Sequence, residues 1–151
     1  MNVKILAECY LNTCIANEIT KEASVKTEII HKRTFGREKI LKEVKTYIKK
    51  RQVDKILLVI DYKEGISRHY LEKTFNSLKD VYKNKVFLGK DNTGKIVAVV
   101  FDPHPEEVLG IRSPRSKSKE ACKVIKQEDV QKKLEEITEK LLEFLRDEFT
   151  T

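Results

Sequence analysis

Two carboxylates stand where chemistry would be expected. Glu8 closes the run "VKILAE" and Asp61 closes "KILLVID". Aliphatic runs of this length read as buried strands. In a parallel α/β sheet, ligands bind beyond the carboxyl ends of the strands. If these two strands are parallel neighbours, both acids fall on one edge. Two hard oxygen donors facing water are the minimum for Mg²⁺ or Mn²⁺, since Mg²⁺ keeps several waters and borrows oxygens from a phosphate substrate. Such an ion neutralises the phosphate and activates an attacking water. Taken singly, each acid has a plainer part: Glu8 as a strand-end partner of a lysine, Asp61 as a helix cap or turn residue.

Basic residues gather towards the same expected edge. His31, Lys32, Arg33 and Arg37 flank Gly36 after the second strand-like run, and Arg68 and His69 open a later helix. Backbone N–H groups at the start of the helix after Gly36 add an anion site. The stretch "RSPRSKSK" has four basic residues, three serines and no acid. Arg112, Arg115 and Lys117 within it either clamp a nucleic-acid backbone or sit on a solvated loop. Tyr10 and Tyr62 are the aromatic residues beside the acids that could stack on bases.

The elements that must position these residues follow from periodicity. "VKILAECY" is a first strand. "NTCIANEITKEA" is a helix with Ile15, Ile19 and Ala23 inward and Asn12 or Thr13 as its cap. "VKTEIIHKRT" is a second strand, followed by a helix through Ile40, Leu41, Val44, Tyr47 and Ile48. Ile56 to Ile60 is the third strand, and "SRHYLEKTFNSLKDVYKN" a third helix with Leu71, Phe75, Leu78 and Val81 or Tyr82 inward. "DNTG" then joins Val86 to Lys90 and Lys95 to Phe101 as a hairpin. On that reading Asp102 leaves a returning arm, on the edge opposite Asp61. Asp102, Glu106 and Glu107 then cap a short helix that begins at Pro105 and stops at Gly110. Val130, Leu134, Ile137, Leu141 and Leu145 form the inner stripe of a last helix, which either packs on the sheet or makes a homodimer interface.

Strand–helix alternation of this kind gives an α/β fold. The expectation is a single-domain three-layer sandwich: a mixed, mostly parallel sheet of about five strands with a C-terminal helix. Residues 1–110 form its core, 111–126 a basic Ser-rich loop and 127–151 the final helix. A length of 151 residues suits one domain, and the 40% hydrophobic, 36% charged composition argues against disorder. No stretch approaches the roughly 18 apolar residues of a membrane span, so no membrane partner is expected. The first residues lack the pattern of a secretory leader, which points to a cytoplasmic protein. The three cysteines, Cys9, Cys14 and Cys122, cannot all pair within one chain and fit neither a metal knuckle nor a disulfide framework; Cys9 and Cys14, where a strand passes into a helix, read as buried thiols.

A net charge of +7 favours a phosphate-bearing partner, DNA, RNA or a nucleotide. The Lys- and Glu-rich composition is that of heat-adapted proteins. The sequence contains no GxxxxGK[ST] loop, GxGxxG, HExxH or GxSxG, which weighs against an NTPase, a dehydrogenase, a zinc hydrolase and a serine hydrolase.

An acid ending the first strand, a glycine after the second and an acidic cluster ending the third resemble the Toprim fold. This is the catalytic module of topoisomerases, bacterial-type primases and OLD-family nucleases. The resemblance covers about the first 110 residues. It places Glu8 at the family's strand-end glutamate, Asp61 at the first acid of its Asp-x-Asp pair and Gly36 at a glycine before the second helix. "VVFDPHPEEVL" is similar to an acidic segment after a later strand in small Toprim-like proteins. The resemblance implies a nuclease-like, Mg²⁺-dependent protein acting on nucleic-acid phosphodiesters. Two departures stand out: Cys9 follows Glu8 in place of a glycine, and Lys63 occupies the second aspartate's place. Glu64 could then serve as a third ligand from a shifted position and Lys63 contact phosphate directly, or the domain binds nucleic acid without cutting it.

Overall fold

A computed structural model of the chain describes residues 3–7, 10–22, 27–30, 54–62, 66–75, 78–111 and 121–149, together with positions 42, 46 and 49. The strands are β1 (Val3–Ala7), β2 (Thr27–Ile30), β3 (Lys55–Asp61), β4 (Lys79–Tyr82), β5 (Val86–Lys90) and β6 (Ile96–Phe101). The helices are α1 (Tyr10–Glu22), α2 (Ile66–Thr74), α3 (Pro105–Leu109), α4 (Ala121–Val124) and α5 (Glu128–Phe149). Positions 42, 46 and 49 are helical, within the segment where the sequence predicts a helix.

The strands form one sheet in the order β2-β1-β3-β6-β5-β4. β2, β1, β3 and β6 run parallel, while β5 is antiparallel to both of its neighbours. The mixed, mostly parallel α/β sheet and the C-terminal helix are therefore as the sequence implies. Both faces of the sheet are covered, because successive side chains of a strand point to opposite sides. Leu57 and Val59 join β1 residues in a core under α1, α3 and α5, whereas Ile56, Leu58 and Ile60 pack with Leu71 and Phe75 at α2. The stripe Val130, Leu134, Ile137, Leu141 and Leu145 is fully buried inside the first of these cores. The face expected to pack or to dimerise is thus spent within the chain.

Among the described residues six strands replace about five, because the third helix ends early. It stops at Thr74, and Lys79–Tyr82, read from sequence as its last turn, is the edge strand β4. Lys83 and Asn84 both adopt positive φ, which turns the chain tightly into β5. The Asp80 carboxylate accepts from the Tyr82 and Asn84 amides at 3.0 and 2.9 Å and braces that turn. The β5–β6 hairpin is where the sequence puts it. Its turn is closed by the Gly94 amide donating to Asp91 O, with Gly94 at φ 73.

The short helix α3 begins at Pro105 and ends on left-handed Gly110, as expected. Its N-cap, however, is His104, whose Nδ1 accepts from the Glu107 amide at 3.3 Å. Glu106 and Glu107 lie in its first turn instead of capping it, and Asp102 is not the cap either. The reading of Cys14 as a buried thiol is also corrected: Cys14 and Cys122 form a disulfide between α1 and α4, with Cα atoms 5.3 Å apart and 108 residues of separation. Local spacing carries no trace of so distant a pairing; Cys9 lies outside the described residues. Among the described residues, no helix is long and apolar enough to cross a membrane.

Candidate functional site: the Asp61 edge

β3 carries Asp61 to the edge of the sheet between two parallel neighbours. Ala7 of β1 pairs with Val59, and Asp61 itself pairs with Phe101 of β6. The carboxyl ends of β1, β3 and β6 therefore share one edge, the arrangement in which α/β sheets bind ligands. This overturns the placement of Asp102 on the opposite edge. The hairpin's first arm, β5, is the reversed one, so β6 returns parallel to β3 and delivers Asp102 to the edge of Asp61. The Asp102 amide is held by Lys85 O at 2.8 Å.

Asp61 is only 9% exposed, and its face of the strand is that of Leu57 and Val59, towards α1. There it meets Asn12. The helix begins at Tyr10, so Asn12 sits inside its first turn and does not cap it. Its Nδ2 instead donates to Asp61 Oδ1 at 3.0 Å and to Val59 O at 3.3 Å. Asn12 is fully buried, and its Oδ1 has no hydrogen-bond partner. The sequence offers Asn12 only as a helix cap, not as a functional group. The available signal was its position, four and seven residues before the buried Ala16 and Ile19, which put an amide on the inward stripe of the helix.

Tyr62 turns the other way. It is 5% exposed, its hydroxyl donates to Glu72 Oε1 at 2.5 Å, and its ring meets Phe87 edge-on at 5.8 Å. It belongs to the α2-side core, so it is no platform for a base. Of the other residues singled out, Glu8, Arg33, Gly36, Arg37, Lys63, Glu64, Arg112, Arg115 and Lys117 lie outside the described residues. Arg68 falls within α2, and His69 beside it is exposed.

No family model, curated protein or solved structure matches this chain. Among the described residues, no group of three His, Cys, Asp or Glu side chains could hold a metal. What stands at the edge is a carboxylate and an amide oxygen lacking a partner, both hard donors of the kind Mg²⁺ and Mn²⁺ take. That donor chemistry fits the cation the sequence suggests. A separate groove of about 320 Å³ lies between α1 and α5, lined by Glu18, Glu135, Thr138 and Glu139. Its three carboxylates make it a poor place for phosphate.

Proposed function

We propose that this chain is a Toprim-like protein that processes nucleic-acid phosphodiesters with a divalent cation held at the Asp61 edge. The observation that carries the reading is the parallel alignment of β1, β3 and β6. It gathers their carboxyl ends and fixes Asp61 there beside a buried amide. Glu8 follows β1 directly in sequence and is the proposed second carboxylate, with Glu64 as a third. When bound, Mg²⁺ or Mn²⁺ would neutralise phosphate charge and activate a water. Asp61 supplies a charged oxygen whose direction Asn12 fixes. Arg33, Arg37, Lys63 and Arg68, with Arg112, Arg115 and Lys117 farther along, are the proposed phosphate contacts.

The test is cleavage of single- and double-stranded DNA and RNA with Mg²⁺ or Mn²⁺. Cleavage should vanish in Glu8→Gln and Asp61→Asn while the circular dichroism spectrum stays native. Persistent cleavage in Asp61→Asn would overturn the reading.

A second reading draws on two observations. The described residues hold no three-ligand acidic cluster, and Lys63 takes an acid's place in the motif. Here the chain only binds nucleic acid through its positive charge. Binding that weakens steeply with salt, yet ignores EDTA and Asp61→Asn, would select it.

A further inference from the structure

Asn12 supports an inference that rests on reading the Asp61 edge as a cation site. The orientation of its amide is set by its surroundings. Both neighbours, Asp61 Oδ1 and Val59 O, are acceptors, so the NH₂ must face them. The opposite rotation would press the amide oxygen against a carboxylate and a carbonyl. The oxygen is consequently the atom left without a partner. Buried polar atoms are nearly always paired, and one that is not retains its desolvation penalty. Thr20, another buried polar residue of α1, shows the usual outcome: its hydroxyl bonds to Ala16 O at 2.9 Å. Among the described residues, Asn12 Oδ1 is the single buried side-chain atom so exposed to that penalty. It lies on the same amide that grips the edge carboxylate.

We propose that Asn12 is a ligand of the divalent cation held by Asp61. Its nitrogen aims the carboxylate, and its oxygen takes the ion, directly or through one metal-bound water. Amide carbonyls serve hard cations as neutral oxygen donors. A neutral donor suits a position already in contact with one carboxylate, where a second would repel it. It also supplies an oxygen to a motif that has lysine at position 63 in place of its second aspartate.

The experiment is Mn²⁺ binding to the full chain, by calorimetry and by the rise in thermal midpoint on adding Mn²⁺, with Mg²⁺ as competitor. Wild type should bind, Asp61→Asn should lose binding, and Asn12→Leu should bind at least tenfold more weakly while folded. Asn12→Asp covers the case in which Asn12→Leu does not fold. It brings two carboxylates together, so it should be destabilised without metal and gain a larger thermal shift from Mn²⁺ than wild type does. Equal affinity in wild type and Asn12→Leu, or an Asn12→Asp shift no larger than that of wild type, overturns the assignment and leaves Asp61 as a cation ligand. Mn²⁺ binding that needs both Asn12 and Asp61, without cleavage of any nucleic acid, upholds the assignment and overturns the nuclease reading. A wild type that binds no Mn²⁺ overturns both.

Discussion

Asp61 is placed where structural and chemical demands can be separated by one substitution. As the last residue of β3 it is nearly buried, and it holds the Asn12 amide that bridges α1 to the strand. Asp61→Ala removes an acceptor and leaves that amide with Val59 O alone. Losing the partner of a buried donor costs about 1–3 kcal/mol. Asp61→Asn keeps the shape and can turn its own carbonyl towards Asn12. Urea unfolding should therefore show Asp61→Ala clearly less stable than wild type and Asp61→Asn much closer to it. Equal stability of wild type and Asp61→Ala would mean that the Asn12 bond contributes nothing to the fold. At this scale the sequence was half legible. Asp61 was conspicuous because an aliphatic run ended on an acid. Asn12 was not, because asparagine near a helix start reads first as a cap, and only the start of α1 at Tyr10 shows that it lies within the helix.

Among the described elements, the passage from α2 to the β4–β5 hairpin is the least legible from sequence. Leu71, Phe75, Leu78 and Val81 keep helical spacing, yet the helix stops at Thr74. The competing signal was the Lys83-Asn84 pair, whose positive φ angles let β4 fold back on β5. Gly89 of β5 then accepts Phe75 and Leu78 against its backbone. A Cβ at that position would lie 2.8 Å from Leu78 Cδ2 and 3.1 Å from Phe75 Cβ. Leu78 can swing away in part, but Phe75 Cβ is fixed to its own backbone. Overpacking of this kind costs about 1–3 kcal/mol, so Gly89→Ala should lower the urea midpoint accordingly. A variant as stable as wild type would show that α2 is not seated firmly on β5. The α3 cap makes a second element-scale prediction. His104→Ala leaves the Glu107 amide without its acceptor and should destabilise by about 1 kcal/mol, the usual cost of losing an N-cap, with His104→Asn restoring most of it. Chemical denaturation of the three proteins measures both effects.

For the molecule as a whole, topology decided what local pattern could not. Each hairpin strand was legible from "DNTG" and the apolar runs around it, but no local signal says where a hairpin docks. Placing β6 beside β3, with β5 outside it, brings Asp102 to the edge of Asp61. The same distance from local pattern hid the disulfide, whose cysteines are 108 residues apart. That bond ties α1, the helix that carries Asn12, to α4, just ahead of the long helix α5 that fills one core. α1 is thus held on two sides, by Asn12 to β3 and by Cys14 to α4. A cross-link across a loop of this size restricts the unfolded chain strongly. The chain-entropy estimate for a loop of about 100 residues is roughly 4.7 kcal/mol, while measured disulfides span about 0–5. Thermal unfolding with and without a phosphine reductant, alongside Cys14→Ser/Cys122→Ser, should show a lowered midpoint in the reduced and substituted proteins. Reduction should leave the double variant itself unchanged, which separates loss of this bond from any effect of the reductant on Cys9. An oxidised wild type no more stable than the double variant would mean that helix packing alone holds α1, with Leu11, Ile15 and Ile19 sufficient to keep Asn12 against Asp61.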